Sequence, residues 1–146
     1  AVLSWLAQQP ELAHLPLAGL GFCFGGHLAW HLAARPELKA TASFYGARVS
    51  TFSPGGGPPT LELAAEIPGR LLVWLGADDP LMPADEQQAI GSALRAADPS
   101  AERLQCRIAP AAGHGFMCSQ RSDFQPEAAE QGWQSLLELL DQVAEV

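Results

Sequence analysis

Cys23, in the run Gly21-Phe22-Cys23-Phe24-Gly25-Gly26, is the residue with the most chemistry to offer, because a thiol between close glycines has the spacing of a nucleophile on a sharp strand-to-helix turn. Such a turn holds its nucleophile in strained backbone geometry, and Gly21 and Gly25 are expected to supply the space in which it closes against the next strand and helix. A thiol at the amino end of a helix also meets that helix's partial positive charge, which favours the thiolate. The run Gly76 to Pro83, GADDPLMP, offers two carboxylates that could orient a histidine and stabilise its charged form. Asp79 precedes a proline and is biased toward extended backbone, whereas Asp78 could equally serve as a turn or capping residue. His114, in Ala112 to Phe116 (AGHGF), sits in a glycine-flanked loop suited to a base that passes protons between nucleophile and leaving group. Taken singly these are a structural cysteine, a turn-forming aspartate and a surface histidine. Together they are the parts of an acyl-transfer site whose nucleophile is activated by a braced base.

The segments that must position them alternate. Val2 to Gln9 has apolar residues at helical spacing and stops at Pro10, and Leu17 to Phe22 is a short apolar strand running into Cys23. Gly25 and Gly26 open a helix over His27 to Ala34, and Thr41 to Tyr45 reads as the next buried strand. Ser50 to Pro59, with Gly55, Gly56 and Gly57, is a loop, and Leu61 to Glu66 is a short helical candidate. Leu71 to Leu75 is a strand, Ala84 to Ala97 a helix, Arg103 to Ala109 an alternating strand, and Pro126 to Val143 an amphipathic helix opened by its proline. Strands alternating with helices predict an α/β fold with a mostly parallel sheet flanked by helices, since parallel neighbours need crossovers long enough to hold a helix. In such sheets ligands bind beyond the carboxyl ends of the strands, and Cys23, Asp79 and His114 each follow a predicted strand. Trp30, Trp74 and Trp133 are expected in the core or at its margins.

Composition narrows the function classes. With 146 residues, 48% hydrophobic and 16% charged, the chain has enough apolar surface for one domain with a real core. Sixteen acidic residues against eight basic ones give a formal charge of -8, with Lys39 the single lysine, which argues against a nucleic-acid partner. The purely apolar run Leu71 to Leu75 falls far short of the about 20 residues of a spanning helix, so no membrane segment is expected. Three cysteines without paired spacing, Cys23, Cys106 and Cys118, suit a reducing compartment, and the cytoplasm is the expected location. Cys23, His27 and His31 recur every four residues and could share a helix face as metal ligands, but a cysteine on the elbow points away from that face and no fourth ligand is evident. Neither a metal nor a cofactor is expected.

Nucleophile, acid and histidine stand in the chain order of α/β-hydrolases. GFCFGG, SFYGAR (Ser43 to Arg48), GADDPLMP and AGHGF together resemble the dienelactone hydrolase family over nearly the whole chain. The resemblance implies an α/β-hydrolase fold, a nucleophilic Cys23, an aspartate at Asp79 rather than Asp78, and a histidine at His114. It implies hydrolysis of a small-molecule ester or lactone, in the type enzyme a dienelactone opened to maleylacetate, with the Phe24 N–H helping to hold the oxyanion. Tyr45, in the family's Tyr-Gly pair, and Phe116 are candidates to border the substrate. Where the family places an arginine after the histidine to bind a substrate carboxylate, this chain has Cys118, and Arg121 is the nearby candidate replacement. A family member would also carry several preceding strands, a second oxyanion donor, a glutamate beside the cysteine and another arginine. Residues 1–146 are therefore expected to form a single partial hydrolase domain without the N-terminal strands, open to a complementing N-terminal segment or to homo-oligomerisation along the exposed flank of Leu17 to Phe22. A non-catalytic remnant that binds a partner along that edge is the alternative.

Overall fold

Leu71 to Leu75 are each at most 4% exposed, as expected of a strand covered on both faces, and the other strands are laid around them. The structure, a computed structural model, describes residues 1–144. Four strands, β1 (Leu17–Phe22), β2 (Leu38–Phe44), β3 (Arg70–Gly76) and β4 (Leu104–Ala109), form one parallel sheet in the order β1-β2-β3-β4. Its register pairs Ala42 with Leu72 and Val73 with Cys106, so β2 and β3 are the interior strands.

The connections are α2 (Phe24–Ala33) between β1 and β2, a 3₁₀ segment (Thr60–Glu66) between β2 and β3, and α3 (Ala84–Ala97) between β3 and β4. A short α1 (Val2–Leu6) precedes the sheet and α4 (Pro126–Ala144) ends the described chain. Neighbouring residues of a strand point to opposite faces, which sorts the helices into two layers. Ser43 hydrogen-bonds Gly26 of α2 at 2.8 Å, while the adjacent Phe44 ring lies against Gly132 of α4. Likewise Arg107 reaches Ser135 of α4 at 2.7 Å, whereas its neighbour Cys106 lies by Arg95 of α3. Helices α2 and α3 thus cover one face and α4 the other. Among the described residues no helix is long and apolar enough to cross a membrane.

Several boundaries differ from the sequence reading. The first helix stops at Leu6 and residues 7–15 run on in turns, with no buried residue in α1 to fix a longer helix. Helix α2 begins at Phe24, directly after Cys23, and takes in both glycines. Strand β4 does not alternate cleanly, because as an edge strand it leaves Arg107 and Ile108 both exposed. Trp30 and Trp74 are buried in the core as expected, and Trp133, 45% exposed and 6.0 Å from the Phe22 ring, lies at its margin.

Candidate active site

Cys23 is the hinge between β1 and α2, and its backbone is turned into φ 54, ψ -121, a region a side chain rarely occupies. Two bonds hold it there: its N–H donates to the Phe44 carbonyl at 3.0 Å, and its own carbonyl accepts from the His27 N–H at 3.1 Å. The glycines explain how the turn closes. A Cβ on Gly21 would lie 1.9 Å from the Gly25 carbonyl oxygen, and one on Gly26 would lie 2.5 Å from the Phe44 oxygen. Gly46, on the chain leaving β2, is equally constrained, 2.5 Å from the Gly26 carbon. Gly25, expected to supply space in the same way, has open surroundings where its side chain would be. The space is needed on the strand side and at the α2–β2 crossing, not on the outer face of the helix.

Beyond β3, the chain turns at Asp79, whose carboxylate is buried and doubly engaged. Its Oδ1 accepts the Leu81 N–H at 2.8 Å and its Oδ2 accepts from His114 Nδ1 at 2.8 Å. Asp78 is exposed, and only its backbone N–H is used, donating to the Ala112 carbonyl at 3.0 Å. Gly76 lets the loop after β4 pass close over the end of β3, since a Cβ there would lie 2.3 Å from the Ala112 oxygen. That loop delivers His114, followed by Gly115 at φ 83. The second imidazole nitrogen, Nε2, lies 3.0 Å from Cys23 Sγ. A carboxylate accepts only, so Nδ1 carries hydrogen and Nε2 is left to exchange a proton with sulfur. With the thiol intact Sγ–H donates to Nε2; after transfer the imidazolium Nε2–H donates to the thiolate.

Tyr45 follows β2 with φ 41, and its buried ring stands edge-on to His114, centroids 5.2 Å apart. Burial first, then the neighbouring charges of Cys118 and Cys23, push its hydroxyl pKa up to about 12, so it is a neutral wall behind the imidazole. Phe116, a candidate substrate contact, instead has no exposed surface and lies beneath Tyr45 and Trp74, at 5.2 and 6.3 Å. Arg121 is exposed and crosses Gly115, where a Cβ would lie 2.5 Å from its Nε. Asp123 takes it up through Nε at 2.8 Å and Nη2 at 3.1 Å. That pairing raises the Arg121 pKa and lowers that of Asp123. Cys118 is exposed, while burial pushes the thiol of Cys106 up to about 11. The Phe24 side chain is 58% exposed, and its N–H is the first of α2, one of the opening group that has no intrahelical carbonyl.

The Cys23, His27 and His31 repeat does not assemble as a ligand set. His27 Nδ1 donates to the Ala47 carbonyl at 2.7 Å, and the Nε2 atoms of His27 and His31 both meet Thr60 Oγ1, at 2.8 and 3.1 Å. This clasp binds α2 to the loop beyond β2 at Ala47 and to the start of the 3₁₀ segment at Thr60, and its histidine spacing was visible in sequence while its partner, 29 residues from His31, was not. The His31 pKa is lowered by burial and by His27.

A parallel sheet flanked by helices, with a strained cysteine turn, a carboxylate and a histidine at the carboxyl ends of its strands, has the architecture of an α/β-hydrolase. Comparison with known proteins narrows this: the model of the dienelactone hydrolase family matches residues 1–144, and the chain belongs to that family. A relative from Synechocystis sp., named "Putative carboxymethylenebutenolidase", is 32% identical over 139 residues, covering 95% of this chain and 55% of its own length. One of the same name from Escherichia coli strain K12 is 32% identical over 142 residues, covering 97% and 51%. The crystal structure of a "Putative Dienelactone Hydrolase" from Klebsiella pneumoniae superposes with a TM-score of 0.84 at 33% identity, over 97% of this chain and 57% of that one. The chain thus spans about half the length of the relatives it matches.

Proposed function

We propose that this chain carries the nucleophile, base and acid of an enzyme that hydrolyses a carboxylic ester or lactone through a thioester on Cys23. The observation that carries the reading is the unbroken contact from Asp79 Oδ2 through His114 to Cys23 Sγ, 2.8 and 3.0 Å, at the carboxyl edge of the sheet. In this reading His114 takes the thiol proton and the Cys23 sulfur attacks the carbonyl carbon. The carbonyl π pair moves onto oxygen, where the Phe24 N–H meets it. The tetrahedral adduct collapses, the C–O bond breaks, and the leaving alkoxide takes the proton from His114 Nε2. Water then gives a proton to His114 and its oxygen attacks the thioester carbon, releasing the acid and restoring the thiol. Asp79 keeps Nδ1–H in place and stabilises the imidazolium throughout.

The arginine at the cleft is already claimed by Asp123, so an acidic substrate would compete with that carboxylate for it. Uncharged esters and lactones are the better fit to this half of the site. The test is an ester and lactone panel assayed on parent and Cys23→Ala, with mass spectrometry of protein quenched during turnover. We expect an acyl mass on the parent at Cys23 and only background cleavage in the variant; parental turnover without Cys23 would overturn the reading.

A second reading is favoured by one observation: β1 is an edge strand whose Ala18 and Leu20 are exposed. A remnant that binds an extended partner there by strand addition needs no reactive thiol. Iodoacetamide separates the two, since rapid alkylation at Cys23 that slows in His114→Gln belongs to the enzyme and slow, His114-independent alkylation to the remnant.

A further inference from the structure

A cavity of about 640 Å³ opens at the amino ends of the strands, the opposite edge of the sheet from Cys23. That volume lies within the roughly 300–1,000 Å³ of small-molecule sites. Its apolar wall comes from Leu3, Leu6, Leu12 and Leu17, which are half-buried. Lys39, Arg70 and Arg103, near the starts of β2, β3 and β4, also line it. They are three of only eight basic residues in a chain of formal charge -8.

None of the three has a carboxylate of a described residue within ion-pair reach. Glu37, also on the wall, is bound to Arg35 at 2.9 Å. The two arginines are steadied by backbone carbonyls instead. Arg70 donates to Glu102 O at 2.7 Å, and Arg103 donates to Ile67 O and Gly69 O, each at 3.1 Å. A carbonyl cancels no charge, so Arg70 is held in place with no paired carboxylate among the described residues, while the charge of Arg103 is offset in part by Asp98.

An apolar wall beside a held arginine and an exposed lysine, neither ion-paired with a described residue, complements a molecule with one anionic head and one apolar tail. We propose that this cavity binds a free amphipathic monocarboxylate, such as a medium-chain fatty acid. The tail would lie along Leu3, Leu6 and Leu12, and the head would meet Lys39 and Arg70. The site is independent of the chemistry at Cys23.

The test is calorimetric titration of the protein with decanoate below its micelle threshold, with decanol and acetate as the tail-only and head-only probes. Saturable one-to-one binding of decanoate is expected, with both probes at least about tenfold weaker, the scale of one charge-assisted hydrogen bond or a buried tail. Lys39 is exposed, so Lys39→Glu should leave the fold intact and weaken decanoate by about tenfold, while Cys23→Ala leaves binding unchanged. Arg70→Gln with an unaltered melting temperature serves as the second variant. Absent binding, equal binding of decanol, indifference to both charge variants, or loss of binding in Cys23→Ala would each overturn the proposal.

Discussion

A histidine with one nitrogen on a buried carboxylate can present only the other to a neighbouring thiol, and this constraint separates the two adjacent aspartates. Asp79 is 3% exposed and bonded to His114, whereas the Asp78 side chain faces solvent. We expect Asp79→Asn to lower kcat on an ester by about 10²- to 10⁴-fold, because an amide can leave the imidazole in the wrong tautomer. Asp78→Asn should match the parent in the same assay, and equal losses in both would mean that neither carboxylate orients the base. From sequence the two aspartates competed, and the family resemblance favoured Asp79, the one that His114 meets. The burial of Phe116 and the capture of Arg121 by Asp123 were not legible there, because both depend on how the loop after His114 folds over β3 and α4.

At the scale of elements, the elbow depends on close backbone crossings. Gly21→Ala places a methyl 1.9 Å from the Gly25 oxygen and should destabilise the protein by about 1–3 kcal/mol, the usual cost of overpacking. Gly25→Ala meets open space and should change stability by no more than about 1 kcal/mol. Paired thermal melts check both, and similar losses would show that the turn is not closed as described. Asp98, at the end of α3, ties that helix to β4 by accepting the backbone N–H groups of Leu104 at 2.9 Å and Arg103 at 2.7 Å. These bonds, Leu104 foremost, hold its pKa below the ordinary carboxylate value. A depressed folded-state pKa means that the unfolded chain binds the proton first as pH falls. The stabilisation is therefore complete above the unfolded value of about 3.9 and is lost as pH drops through the folded value. Asp98→Asn should melt lower than the parent at pH 6, with the gap narrowing toward pH 3; a gap that widens on acidification would refute this.

At the scale of the molecule, β1 leaves one side of its ladder unpaired among the described residues, with its Leu20 exposed and the half-exposed Trp133 ring 6.0 Å from that of its Phe22. An apolar edge of this kind is a template for pairing. Sedimentation should show concentration-dependent association that Leu20→Lys weakens; a strictly monomeric parent at millimolar concentration would contradict it. The alternation of strands and helices, the tight turn at Cys23 and the order of thiol, carboxylate and imidazole were determined by the sequence alone, because each rests on spacing along the chain. Only the tertiary structure decided that Gly26 and Gly46 meet, that His27 and His31 close on Thr60, and that Lys39, Arg70 and Arg103 share one cavity with leucines. Those contacts join residues far apart in sequence, and what brings them within reach is the order and register in which β1 to β4 pair, which no local pattern encodes.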